Sequence, residues 1–231
     1  MGTSGPSTSR VVRGLPPGQH RRRDFPRFGM PQLAPPAVPD RPILTVAGAV
    51  EDDLHLPLTE LDRTIPRIER VADLHCVATW TATGLKWSGV SFRQFWEQVV
   101  EPRCKPAGAV AIIARGADGG RAVLDLRDAL ADDVMLADRL DGEPLDALHG
   151  APLRLVSPGQ YGYKNIKHLR TIEVCDTFPR LGYKGMEHPR ARVDREERHP
   201  RFAGPLLRLP YRATVPLIVW LNRRPSRAPG S

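Results

Sequence analysis

The chain is short of the residues that mark the commonest functional classes. Aromatic residues make up 6% of it and no familiar nucleic-acid motif appears, whereas a nucleic-acid-binding protein would more often carry a basic stripe interleaved with aromatics on its folded body. Three cysteines, Cys76, Cys104 and Cys175, occur in 231 residues without CxxC spacing. At least one is therefore unpaired, which fits a reducing compartment better than a disulfide framework. No apolar run approaches the ~18 residues of a membrane-spanning helix; the most apolar late window, Val215 to Leu221, is too short. The seven histidines show no HxH or HxxxH spacing, so a zinc site has little support. Neither a GxSxG nucleophile elbow nor a GxxxxGK[ST] or GxGxxG phosphate loop is present.

What the chain does have is proline and unevenly placed positive charge. The 24 prolines argue against a helical bundle, and long helices are not expected. An apolar content of 41% is enough for one well-filled core. The net charge of +8 collects at the ends: seven Arg against two acids before residue 46, and eleven basic against four acidic residues from Lys184 on. The intervening stretch is mildly acidic. Such ends read as solvated tails or as arms that touch an acidic surface. Arg22-Arg23-Asp24-Phe25 imitates a twin-arginine export motif, but no apolar segment follows it, and a cytoplasmic location is expected.

Residues 1–41 are rich in Pro, Gly and Arg and lack periodicity, so they are expected to form an extended basic arm. Order is expected to begin with a strand at Ile43 to Val46, followed by a helical turn at Pro57 to Leu61. Further strands are expected within Ile68 to Trp80, at Ala109 to Ala114, Val134 to Leu140, Leu153 to Val156 and Ile166 to Val174. Ser91 is a good N-cap for Phe92 to Val100, where Phe92, Phe95, Trp96 and Val99 repeat at helical spacing. Asp141-Gly142 is a strong hairpin signal. Many short strands with few helices imply an α+β domain with mixed β-sheet over residues 42–183. Residues 184–231 are expected to be a basic tail that packs in part.

Two segments carry chemistry. The first ends a strand at Asp73-Leu74-His75-Cys76-Val77-Ala78-Thr79-Trp80. A lone cysteine in an apolar strand is most often a small buried hydrophobe, but the polar flanks set Cys76 apart as a soft ligand. The second is HGAPLRLVSPGQYGYKNIK, from His149 to Lys167. Arg154 between Leu153 and Leu155 asks for an anionic partner. Pro158, Gly159 and Gly162 imply a tight loop whose backbone N–H groups suit a phosphate, with Lys164 and Lys167 as point charges. An exposed basic loop is the alternative.

The order FPRFG, then HCVATW, then WSGVSF, then LDGEPLDALHGAPLRLVSPGQYGYKNIKHLRTIEV resembles the molybdopterin-dependent oxidoreductases of the sulfite oxidase superfamily. The likeness covers roughly residues 25–200. It implies a molybdenum–molybdopterin cofactor with a single pterin, and Cys76 as the thiolate on the metal. It also implies cofactor contacts at His149, Arg154, Asn165, Ile166 and Lys167, with Phe28 and Gly29 in the region of an N-terminal contact. Lys164 falls where the family has a basic residue near the substrate mouth, a catalytic position. The chain departs from sulfite oxidases in having Val77-Ala78-Thr79-Trp80 where they place an Asn-Arg-Arg run, and no tyrosine in residues 116–130. No haem domain is visible. Methionine-sulfoxide reductases, in turn, have Asn where His149 stands. The expected activity is oxo transfer on a small oxo-donor or oxo-acceptor substrate other than sulfite, with a separate electron-transfer partner. The alternatives are a non-catalytic molybdopterin-binding protein and, more remotely, a basic nucleic-acid-binding protein.

Overall fold

The computed structural model describes residues 14–22, 35–179 and 187–223. Two sheets organise them. The first has the strand order β1-β5-β8-β10, with β4 also on β5 and β9 on β8. Its members are β1 (His20–Arg22), β4 (Arg67–His75), β5 (Trp80–Ser91), β8 (Met135–Leu140), β9 (Glu143–Pro144) and β10 (Arg154–Val156). The second runs β3-β2-β11-β6-β7, formed by β3 (Leu54–Pro57), β2 (Ile43–Gly48), β11 (Leu169–Cys175), β6 (Ala111–Gly116) and β7 (Arg121–Asp125). This is an α+β fold with mixed sheets, as expected: β2 and β11 pair in parallel and β6 and β11 antiparallel.

Alternation along the strands decides which face each residue serves. In β8, Leu136 enters the core between the sheets while Met135 and Ala137 enter a second cluster on the opposite face, the one that contains Cys76. Leu155 and Val156 of β10 divide in the same way. The inter-sheet core is completed by a helix over 92–104 that begins where β5 ends. Its N-cap is Ser91, and Phe92, Phe95, Trp96, Val99 and Val100 are buried. The middle turn, Trp96–Val100, is a π-helix.

The strand β5 was not visible in the sequence, because Gly84, Lys86 and Gly89 interrupt its apolar pattern. Gly89 sits at an irregularity of the β5–β8 pairing, where an added Cβ would lie 2.0 Å from the Leu136 carbonyl oxygen. The hairpin at Asp141-Gly142 is present, both residues having positive φ (52° and 89°). The strand expected at Ile166 starts only at Leu169, because His168 takes a φ of 51° and turns the chain.

The ends of the chain hold two structural differences from the sequence reading. Within the expected arm, β1 adds in parallel to β5, His20 pairing with Trp80. And a helix of 16 residues, Arg208–Arg223, forms despite Pro216 within it, so the expectation of no long helix is corrected. Its Tyr211 and Val215 pack on the Cys76 cluster, and that tertiary contact outweighs the lost proline hydrogen bond. No helix among the described residues is long and apolar enough to cross a membrane.

Candidate cofactor site at Cys76

Cys76 is the first residue after β4, in the turn that leads into β5. Its N–H donates to the Trp80 carbonyl at 2.8 Å, and its carbonyl accepts from Thr79 N–H at 3.1 Å. Thr79 has a φ of 73°, which closes this connection. The Ala78 N–H points at Cys76 Sγ at 3.5 Å. The N-terminal strand seals the turn from one side: Gln19 Nε2 donates to the Cys76 carbonyl at 3.2 Å, and His20 N–H to the Thr79 carbonyl at 2.9 Å. Thr81 Oγ1 spends its proton on Gln19 Oε1 at 3.1 Å, so it accepts from His75 Nδ1–H at 2.9 Å. His75 therefore keeps Nε2 as an acceptor.

The chain after residue 187 closes the other side. Arg198 is fully buried, donates Nη1 to the Val77 carbonyl, and lies 5.0 Å over the Tyr161 ring. Glu196 holds Arg198 and, through both carboxylate oxygens, Arg208. Burial pushes the Cys76 thiol up to about 12, while the Ala78 N–H, Arg198 and Arg22 favour the thiolate. A thiol so placed is neutral by itself and is ready to exchange its proton for a metal.

The second segment reaches the same turn. Tyr161 forms a parallel bridge with His75, and Arg154 of β10 lies 4.9 Å over the ring of Trp87, a member of the Cys76 cluster. Arg154 is buried, donates Nη1 to the His149 carbonyl at 2.8 Å, and is lowered to about 10 by burial. His149 takes its place from Asp146, which accepts from both its N–H and Nδ1 at 2.7 and 2.8 Å. Lys167 Nζ donates to the Leu148 carbonyl at 3.2 Å. Gly150, with a φ of 111°, lets Lys167 lie against it; an added Cβ would meet the Lys167 side chain at 3.0 Å. His149, Gly150 and Lys167 thus lie side by side, where the Lys167 ammonium and the His149 ring could meet an anionic group.

The other expected contacts have structural duties. Asn165 accepts Ser157 N–H at 2.7 Å and donates to the Ser157 and Tyr161 carbonyls. Ile166 belongs to the inter-sheet core, and its carbonyl accepts Leu155 N–H at 2.9 Å. Of the Asn-Ile-Lys triplet, only Lys167 offers its side chain to a ligand. Lys164, expected at a substrate mouth, is buried: its ammonium donates to the Val123 and Pro189 carbonyls. Desolvation lowers it to about 8, against the pull of Glu187 and Asp128. Phe28 and Gly29 lie outside the described residues.

Two residues at the turn are not legible in the sequence. Gln19 lay inside what read as an arm, and Arg198 inside the run Arg195-Glu196-Glu197-Arg198, which reads as solvated charge. Neither carries a signal in a single sequence. Tyr161 lay in the quoted block, but nothing there pointed it toward His75.

Among the described residues no group of three or more His, Cys, Asp or Glu could hold a metal by itself. A metal on Cys76 must bring its other ligands with it, and the residues present fit a molybdenum–molybdopterin: one soft thiolate, guanidinium groups around it, and on an adjoining loop His149 and Lys167, which could hold a phosphate. Fold and site together define a metallocofactor-binding domain of the sulfite-oxidase type. The chain belongs to the oxidoreductase molybdopterin binding domain family, whose sequence model matches residues 32–182. It is 34% identical over 137 residues to the "putative protein-methionine-sulfoxide reductase subunit YedZ1" of Azospira oryzae, covering 59% of this chain and 50% of that one. It is 35% identical to the "uncharacterized oxidoreductase YuiH" of Bacillus subtilis, over 56% of this chain and 63% of that protein. The "protein-methionine-sulfoxide reductase catalytic subunit MsrP" of Xanthomonas campestris is 28% identical, over 62% of this chain and 47% of its own length. Among solved structures, the sulfane dehydrogenase SoxCD of Paracoccus pantotrophus superposes with a TM-score of 0.51 at 25% identity, covering 59% of this chain and 38% of that one. The chain therefore spans about half to two thirds of the length of these curated relatives.

Proposed function

We propose that this chain binds one molybdenum–molybdopterin and acts as an oxidoreductase that transfers an oxo group to or from a small substrate other than sulfite. The observation that carries the reading is the Cys76 turn, a buried thiol facing the Ala78 N–H and flanked by guanidinium groups. When bound, the cofactor supplies a metal that exchanges an oxo group and two electrons. The chain's own residues hold and surround it. Cys76 would bind the metal as thiolate, its proton leaving on loading. His149 and Lys167 would hold the phosphate, and Arg154 keeps the His149 backbone in place by its bond to that carbonyl. Trp80, Trp87 and Leu74 exclude water from the thiol's surroundings.

Sulfite is disfavoured because Val77-Ala78-Thr79 puts no cation directly after the ligand. A dipolar sulfoxide, the substrate class named for several relatives, suits this turn better. Electrons would come from a separate partner protein. A cytoplasmic location rests on the three free cysteines and is checked by cell fractionation.

Molybdenum analysis of protein made in a molybdenum-competent host tests the reading. Near-stoichiometric molybdenum is expected in the wild type and none in Cys76→Ala with an unchanged circular dichroism spectrum. Folded wild-type protein without molybdenum overturns it. Loaded protein that never cycles with dithionite and methionine sulfoxide would instead favour the non-catalytic alternative, which the absence of tyrosine from residues 116–130 motivates.

A further inference from the structure

The helix Arg208–Arg223 is apolar on two opposite faces. At 100° per residue, Tyr211 and Val215 share the face that packs on the Cys76 cluster. Leu209, Ala213, Pro216 and Trp220 follow the spacing i, i+4, i+7, i+11, which places them together on the far side. That far side is open: Leu209 is 78% exposed and Trp220 50%, and just before the helix Phe202 is 59% and Leu206 74% exposed. Four large apolar groups exposed this close together on one short stretch are not the scattered surface leucines of an ordinary soluble domain.

In the sequence from Arg198 on the charge has one sign, with Arg198 buried at the Cys76 turn and Arg208 paired with Glu196. From Arg198 to Ser231 there are seven arginines and no Asp or Glu. These seven account for nearly all of the net charge of +8, since the rest of the chain holds 27 basic against 26 acidic residues. On the helix, Arg208 and Arg212 flank the apolar stripe. Together with His20, Thr79 and Leu209 they line a groove of about 420 Å³, where Arg212 Nη1 stands 3.0 Å from His20 Nε2. Glu196 holds Arg208 through both carboxylate oxygens, which leaves Arg212 as the exposed cation of the helix's first two turns.

We propose that this face is a docking surface for an anionic lipid bilayer. The helix would lie in the plane of the headgroups, with Leu206, Leu209 and Trp220 among the upper acyl segments and Arg212 at the phosphates. A helix with an apolar stripe, an exposed tryptophan and arginines along its flank is the chemistry that such a surface selects. An acidic protein would satisfy the arginines but would ask for complementary donors and acceptors along the stripe, where Leu209, Ala213 and Pro216 have no polar side-chain atoms. Docking there would hold the Cys76 turn, one helix diameter away, at a fixed distance from the membrane.

Co-sedimentation of the full chain with vesicles tests this without any need for bound molybdenum, so its failure and that of the proposed oxidoreductase function are separable. Binding to vesicles containing phosphatidylglycerol is expected to exceed binding to pure phosphatidylcholine by about tenfold or more, and to weaken at high salt. Tryptophan emission should shift to the blue on binding in the wild type and not in Trp220→Phe. Leu209→Asp with Trp220→Ser, both at exposed positions that leave the fold intact, should lower binding by about tenfold. Equal binding to neutral and anionic vesicles, no binding by folded wild type, or undiminished binding by the double variant would overturn the proposal and leave the face to an acidic protein partner.

Discussion

Between the two sheets the interior is filled by Leu44, Val46, Phe92, Phe95, Val99, Ile112 and Ile172, whereas the side that carries Cys76 buries Gln19, His75, Thr81, Arg154, Tyr161 and Arg198. Among the described residues, none of the buried polar ones belongs to β2, β3, β6, β7, β11 or the helix 92–104. The division matters because buried apolar groups stabilise by leaving water, while buried charges cost energy unless each finds a partner. The inter-sheet region can therefore supply the stability, and the Cys76 region is free to hold groups in place for a ligand. Mutations in the first should move stability and leave cofactor binding alone. Mutations in the second should reach the site or its pH response.

The largest expected effect tests the stability half of that division. Phe95 is fully buried, with its ring 6.1 Å from that of Phe92. Phe95→Ala should cost about 3–5 kcal/mol in chemical denaturation. Molybdenum content per folded molecule should stay at the wild-type level. If the variant stays stable or loses metal while still folded, the two regions are not independent.

Lys164 tests the polar half through its pH dependence. Its folded-state value is near 8 against an ordinary 10.5, because burial disfavours the ammonium. Between those values the unfolded chain binds more protons than the folded one, so stability from this group rises with pH, by on the order of 3 kcal/mol in total. The gain starts near pH 8 and is complete above about 10.5. Lys164→Met should lack this rise. Tyr161 and Tyr163, which burial raises, work in the opposite direction at the top of the range in both proteins. The difference between the two pH profiles therefore isolates the lysine, and parallel profiles would show that the ammonium is solvated.

The division also explains what could be read from the sequence. The inter-sheet core was legible, because Phe92, Phe95, Trp96 and Val99 keep helical spacing and Ala109 to Ala114 is a plain apolar run. Cys76 and the block from His149 to Lys167 were legible as residue types with unusual neighbours. The pairing of His75 with Tyr161 and the reach of Arg198 to the Val77 carbonyl were not, since they join positions 86 and 121 residues apart. No local pattern records such closures. The helix Arg208–Arg223 is illegible for the opposite reason: Pro210 and Pro216 are a local signal against helix, and packing of Tyr211 and Val215 overrides it.

The smallest expected effect falls on the residue that joins the two regions. Ser91 is the last residue of β5 and the N-cap of the helix 92–104 that fills the inter-sheet core. Its Oγ accepts Gln94 N–H at 3.4 Å, a long bond, so Ser91→Ala should sit at the low end of cap losses, about 0.5–1 kcal/mol. The backbone of β5 remains paired with β4 and β8 on either side of Trp87. Molybdenum content and the pH profile of stability should therefore be unchanged. A loss above about 2 kcal/mol, more than a single cap supplies, accompanied by lost metal, would mean that helix and strand shift as one body. The stability of one region would then set the geometry of the other.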